Sequence, residues 1–281
     1  MRLSVASSIL LAAGAVASSA PPSSTRPLHP RQSSSECAAV QILGAREAGA
    51  DPGYGAIEPF VELLLDTLPD AAAEPLRYPA VGGEDYDRGV TAGIRAFVNY
   101  TEEIHERCPD SKLIFTGYST GAQVIDDVVC GGPDPPSLVT DIVVLDPEIG
   151  KKVAAIIWMG NPRFIGGLPY NVGSAELGGF AAREEGFVCK TYSDRIRSYC
   201  DEGDPYCSQG NSDLTHGSYP AKYGSAALKF VQEKLGINTT TGEYIDVLDE
   251  TQKPSGGNWV SRPSYGVGLL AVGTTAMLLL S

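Results

Sequence analysis

Between residues 40 and 235 short apolar runs alternate with longer segments of helical period. Val40–Leu43 reads as a buried strand that enters the turn Gly44-Ala45-Arg46-Glu47. Ile57–Leu68 carries apolar residues at helical spacing and stops before Pro69. Leu76–Ala80 reads as a short second strand. Tyr86–Glu106 is a long amphipathic helix with Val90, Ile94, Phe97, Val98 and Ile104 along one side. Leu113–Phe115 is a third strand, and Ala122–Val129 again shows an apolar face at helical spacing. Val153–Met159 is almost wholly apolar, as expected of a strand covered on both faces of a parallel sheet. Ile196–Tyr199 reads as the last strand. Ala221–Leu235 is a closing helix with Ala226, Leu228, Phe230 and Val231 inside, stopped by Gly236. Strands alternating with helices predict an α/β fold whose central parallel sheet is flanked by helices in three layers. No internal repeat is visible.

The two ends break this pattern. Residues 1–17 join a short basic start to an apolar stretch and an A-x-A site at Ala15-Val16-Ala17, the form of a secretory signal peptide. Residues 18–35 are rich in Ser and Pro and read as a disordered arm or pro-segment. The body spans 36–236, and 237–257 is a polar linker or stalk. Residues 258–281 run from a polar spacer into an apolar tail ending in Met277-Leu278-Leu279-Leu280. With the small residues Ser255-Gly256-Gly257 upstream, this reads as a glycosylphosphatidylinositol (GPI) anchor signal with Ser255 as attachment site. A tail anchor or a buried last helix is the competing reading, disfavoured by Gly266, Gly268, Gly273, Thr274 and Thr275.

Charge and cysteines narrow the function classes. The formal net charge is −13, and about −15 once Arg2 and Arg262 leave with the two end segments. Such a body argues against nucleic acid and against anionic membrane surfaces as partners, leaving a membrane reached only through the lipid anchor. Six cysteines in a secreted chain suggest three disulfides, with fifteen possible connectivities. No C-x-x-C pair occurs and His29, His105 and His216 are scattered, so no metal site is expected. Asn99 and Asn238 open glycosylation sequons.

The candidate chemistry starts at Gly117-Tyr118-Ser119-Thr120-Gly121, a G-x-S-x-G pentapeptide between the third strand and the following helix. That order is the form of a nucleophile elbow, which exposes a serine hydroxyl at the apex of a strained turn. Ser119 is the candidate nucleophile. A base is then required. His29 lies in the Pro-rich arm and His105 on a helix face among Glu102, Glu103 and Glu106. His216 follows Ser119 in a loop just before the last helix, as the order Ser, acid, His requires. For the acid, Cys200-Asp201-Glu202-Gly203-Asp204-Pro205-Tyr206-Cys207 brackets three carboxylates with two cysteines able to close a small loop directly after a strand. A rigid loop of this kind suits a carboxylate that orients an imidazole. Asp204 is preferred over Asp201 and Glu202.

At this point the residues resemble a known family. Cys37 with Gly44-Ala45-Arg46-Glu47, Cys108-Pro109-Asp110, the serine pentapeptide, Cys130-Gly131-Gly132, Met159-Gly160, the Asp204 loop and His216-Gly217-x-Tyr219 look like the cutinase and acetylxylan esterase family of fungal secreted serine esterases. The resemblance covers the whole body. It implies a cutinase-like, α/β-hydrolase-like fold, no cofactor, and Ser119, Asp204 and His216 as nucleophile, acid and base. It also implies disulfides Cys37–Cys108, Cys130–Cys189 and Cys200–Cys207. The oxyanion would be held by the backbone N–H groups of Ala48 and Thr120. Thr120 stands where the family usually has Gln. Ala48 stands where it usually has Ser or Thr, so one hydroxyl donor is missing, a loss of the kind that costs about 2.7–4 kcal/mol.

Residues 208–215 and the segment Gly82-Gly83-Glu84-Asp85-Tyr86 predict a polar rim. Tyr118 and Tyr206, with Tyr86 and Tyr219, are candidate platforms for a sugar. The expectation is a monomeric, cell-surface esterase that removes acetyl groups from plant cell-wall polysaccharide, closer to the acetylxylan esterase branch. A cutinase acting on polyester or short lipid esters is the alternative. A non-catalytic surface protein on a degraded esterase fold is the reading that Ala48 keeps open.

Overall fold

The computed structural model describes residues 37–237 apart from 138, 140 and 141. The expected signal peptide, arm and anchor tail, Asn238, Ser255 and all of the expected linker beyond Ile237 lie outside the described residues. In chain order the elements are β1 (Val40–Ala45), α1 (Glu58–Thr67), β2 (Ala71–Pro75), α2 (Tyr86–Arg107), β3 (Lys112–Tyr118), α3 (Thr120–Cys130), α4 (Pro147–Lys152), β4 (Val153–Met159), β5 (Asn171–Val172), β6 (Ile196–Tyr199), α5 (Asp213–His216) and α6 (Tyr219–Leu235). The strands form one parallel sheet in the order β2-β1-β3-β4-β6-β5.

The sheet separates two apolar clusters. On one face Leu43, Phe115, Ile156 and Trp158 pack against Val90, Ile94 and Phe97 of α2 and Val124, Ile125 and Val128 of α3. On the other, Ile42, Ile114, Ile157 and Met159 pack against Phe60, Val61 and Leu64 of α1 and Ala227, Phe230 and Val231 of α6. Strands buried on both sides explain the continuous apolar run of β4. Ile237 packs into the second cluster, one residue past the body's expected end.

The second strand is not where the pattern predicts it. β2 is the alanine-rich Ala71–Pro75, a weak strand former that an edge position tolerates. Leu76, Tyr78 and Ala80 are buried alternately, so the period of two is real, but the segment pairs with no strand beyond the Leu76 amide on Gly44. Arg46 takes its carbonyls instead, donating from Nη1 to Leu76 at 3.1 Å and from Nη2 to Tyr78 at 2.5 Å. β5 has two residues and α4 six, each too short to leave a periodic signal.

A charged cluster lies buried behind α3. Arg163 meets Asp134 at 2.7 Å, Arg183 meets Asp126 at 2.5 Å, and Asn161 bonds Asp126 at 2.7 Å. Asp127 is the surplus carboxylate. Among the described residues its Oδ2 has no hydrogen-bond partner, its Oδ1 accepts only a long bond from Arg183 Nη2 at 3.3 Å, and Arg163 Nε lies 3.0 Å from Oδ1 without directing its N–H there. Burial pushes its carboxyl well above the ordinary range, and the two guanidinium groups only partly offset this. Folded Asp127 therefore keeps a proton that the unfolded chain releases above about pH 4. Its contribution to stability is full below that pH and is lost as pH rises toward the folded value. The Tm of Asp127→Asn, measured against wild type by calorimetry, is expected to improve steadily as pH rises. A difference independent of pH would reject a protonated Asp127.

Candidate active site

Ser119 occupies the joint between β3 and α3 with φ 50° and ψ −120°, a backbone conformation that costs a non-glycine residue about 1–3 kcal/mol. It is held there from both sides. Its amide bonds the Met159 carbonyl at 2.8 Å, and its own carbonyl accepts the Gln123 amide at 3.1 Å. The glycine at 121 lets α3 close on β1, since a side chain there would collide with the Ala45 and Arg46 carbonyls. Ser119 just reaches the surface, with 9% of its area exposed.

His216 ends the four-residue helix α5 rather than lying in a loop. Ser212 caps that helix, its hydroxyl accepting the Thr215 amide at 3.1 Å. Two neighbours set the imidazole beside the elbow. Tyr118, next to Ser119, packs edge-on to it with centroids 5.4 Å apart and donates its hydroxyl to the His216 carbonyl. Gly160, next to Met159, has φ 65°, and a Cβ there would stand 2.7 Å from the imidazole Cε1.

Asp204 Oδ2 lies 2.7 Å from His216 Nδ1. The carboxylate is fully buried and saturated. Oδ1 accepts the amides of Tyr206 at 2.7 Å and Cys207 at 3.1 Å, and Oδ2 also accepts the Tyr219 hydroxyl at 2.7 Å. Burial alone would raise its carboxyl. The hydrogen bond and charge of His216, then the Tyr219 and Tyr206 donors, outweigh burial and hold it below its ordinary value. The charged form is thus built in. Cys200 and Cys207 are bonded and close this loop. Asp201 is committed elsewhere, to Lys222 at 2.7 Å, Tyr223 at 2.8 Å and the Ser174 amide at 3.1 Å, and Glu202 is exposed. Cys130 is bonded to Cys189, and Cys37 and Cys108 are each disulfide-bonded.

The remaining candidates divide. Thr120 is buried as the first residue of α3, and Ala48 sits in the turn after β1. Arg46 fastens that turn, donating from Nε to Ala50 at 3.1 Å, while the Gly49 amide bonds Ala80 at 2.6 Å. Tyr206 is 40% exposed with its ring centroid 4.4 Å from that of the imidazole, and is open to solvent. Tyr118 is not, and this corrects the sequence reading. It is 1% exposed and spent on His216, and Tyr219 is equally buried. A chain read alone does not say which tyrosines point inward. The rim is also less polar than predicted. Leu214, 88% exposed, projects from α5, and Phe180, 48% exposed, is joined to Tyr206 through its amide and to Tyr86 edge-on at 5.4 Å. Asn99 is exposed on α2, with the Thr101 hydroxyl of its sequon turned inward to Val98.

Known proteins share this architecture. The model of the Cutinase family matches residues 36–235. The chain is 41% identical over 194 residues to Cutinase 11 of Verticillium dahliae, covering 66% of this chain and 63% of that one. It is 40% identical over 165 residues to an acetylxylan esterase of Hypocrea jecorina, covering 56% and 55%. In both it therefore spans less than two thirds of the relative's length. The catalytic core domain of acetyl xylan esterase from Trichoderma reesei superposes with a TM-score of 0.69 at 41% identity, over 71% of this chain and all of that domain. A cutinase-like protein from Cryptococcus sp., 21% identical with a TM-score of 0.57, shares the fold. With a family match running from one end of the sheet to the other, the chain belongs to the Cutinase family.

Proposed function

We propose that this protein is a secreted serine esterase that removes acetyl groups from plant cell-wall polysaccharide. The observation that carries the reading is the pairing of buried Asp204 with half-buried His216, 2.7 Å apart and set beside the strained elbow of Ser119. With Nδ1 donating to Asp204, His216 presents Nε2 as the base. Ser119 Oγ attacks the ester carbonyl and gives its proton to Nε2. Asp204 stabilises the imidazolium, which then protonates the departing alcohol. Water, activated by the same nitrogen, hydrolyses the acyl-Ser119 ester. The Ala48 and Thr120 amides receive the oxyanion. Tyr206 supports a short acyl group and a sugar, since its exposed ring stands close against the imidazole.

A second reading, a cutinase, is favoured by the apolar surface of Phe180 and Leu214 at the rim. Rates on p-nitrophenyl acetate, butyrate and longer esters, beside acetate release from acetylated xylan, separate the two. The acetylxylan reading fails if xylan is untouched and longer acyl chains are preferred. Rates at background on every ester would point to a surface protein without activity.

The oxyanion side makes its own prediction. Ala48→Ser restores a hydroxyl to the turn and is expected to raise kcat on p-nitrophenyl acetate about tenfold or more with KM nearly unchanged, because the donor acts on developing charge. Unchanged turnover would place the oxyanion elsewhere. The tail 258–281 supports GPI anchoring of the mature enzyme. Release of active protein from membranes by a phosphatidylinositol-specific phospholipase tests that.

A further inference from the structure

Asp204 Oδ2 serves two donors. His216 Nδ1 and the Tyr219 hydroxyl both lie 2.7 Å from it. The direction of the second bond follows from the surroundings. The Tyr219 oxygen accepts the Asp201 amide at 3.0 Å, and its other neighbour is Cys207 Sγ at 3.3 Å, which is disulfide-bonded and carries no proton. The phenol proton is left a choice between a carboxylate and a sulfur, and the charged acceptor wins. Tyr219 is fully buried at the start of α6, between the rings of Tyr118 and Tyr223. Burial pushes its phenol far above the ordinary value, so it remains a donor at every working pH.

We propose that Tyr219 is a positioning residue for ester hydrolysis, fixing the Asp204 carboxylate and, by sharing Oδ2 with His216, setting the basicity of the imidazole. This rests on the esterase reading above. A carboxylate that accepts a second strong bond on the same oxygen has less charge to offer the imidazolium. Removing that bond concentrates charge toward His216 and makes the imidazolium harder to deprotonate. The other ionisable groups nearby are Tyr118 on β3 with Glu47 beyond it, Tyr206 and Asp201 on the disulfide loop, Asp213 on α5, and Lys222 and Tyr223 on α6. None of them contacts Oδ2 in place of Tyr219.

The test is the pH profile of kcat/KM on p-nitrophenyl acetate, with the His216 ring titrated by NMR in parallel. Tyr219→Phe is expected to move the acid limb up by about half a unit to one unit. 3-Fluorotyrosine placed at 219 keeps the Asp201 acceptor and is a stronger donor, so it is expected to move the limb down. A tyrosine that only fills space would lower activity at all pH values and leave the midpoint in place. Wild-type midpoints in both variants would overturn the proposal. The fluorinated variant covers the case in which the orphaned Asp201 amide prevents Tyr219→Phe from folding. A wild-type protein with no esterase activity would instead overturn the reading of the site. The NMR titration would still decide the role of Tyr219, which falls if His216 titrates alike in all three proteins.

Discussion

Ser119→Ala is expected to reduce hydrolysis of p-nitrophenyl acetate about a millionfold and to leave the fold intact. The size follows from how a nucleophile, its base and its orienter act as a unit, so that losing the nucleophile removes nearly everything the three supply together. The fold survives because the elbow is held by backbone bonds, from the Ser119 amide to Met159 and from the Gln123 amide to Ser119, and not by the hydroxyl. A fluorophosphonate probe should label wild-type protein at Ser119 alone and the variant not at all. Retention of more than about one hundredth of the rate, with contaminating esterase excluded, would move the nucleophile elsewhere.

Asp204→Asn is expected to cost about ten-thousandfold in kcat, the scale seen when an orienting carboxylate becomes an amide. The geometry says why a near-isosteric change does so much. The Tyr206 and Cys207 amides both donate to Oδ1, so an asparagine must keep its oxygen there and turn its NH2 toward His216. The imidazole then accepts at Nδ1 and carries its proton on Nε2, the nitrogen that must receive the one from Ser119. Asp201→Asn is the control, since that carboxylate bonds Lys222 and Tyr223. A loss below tenfold in Asp204→Asn, or an equal loss in both, would refute the assignment of the acid.

What the sequence discloses depends on how local the cause is. The elbow and the cysteine-bracketed loop are legible because their geometry is set within a few residues by glycines and a short disulfide. β4 and α2 are legible from unbroken runs and long periods. β2 is not, because three alanines and a proline carry no strand signal, and its pairing comes from lying beside β1. The buried charges are not legible either. Asp126, Asp127, Asp134, Arg163 and Arg183 span 58 residues and read singly as surface groups. Tyr118 and Tyr219 show the same limit at the site. Their types suggest a sugar platform, and only the packing reveals that both are occupied with holding His216 and Asp204.

The small loop closed by Cys200 and Cys207 has a consequence for where and when the protein works. Two of the four donors on Asp204 are backbone amides inside that loop, at Tyr206 and Cys207. The ring of chain it closes is far shorter than the one closed by Cys130 and Cys189, so through chain entropy the bond adds less to global stability than that one does. Reduction of this bond would therefore loosen the hold on the carboxylate directly. On the proposed mechanism the newly made chain is silent in a thiol-rich compartment and acquires turnover only where disulfides persist. Oxidation then acts as a licence for activity.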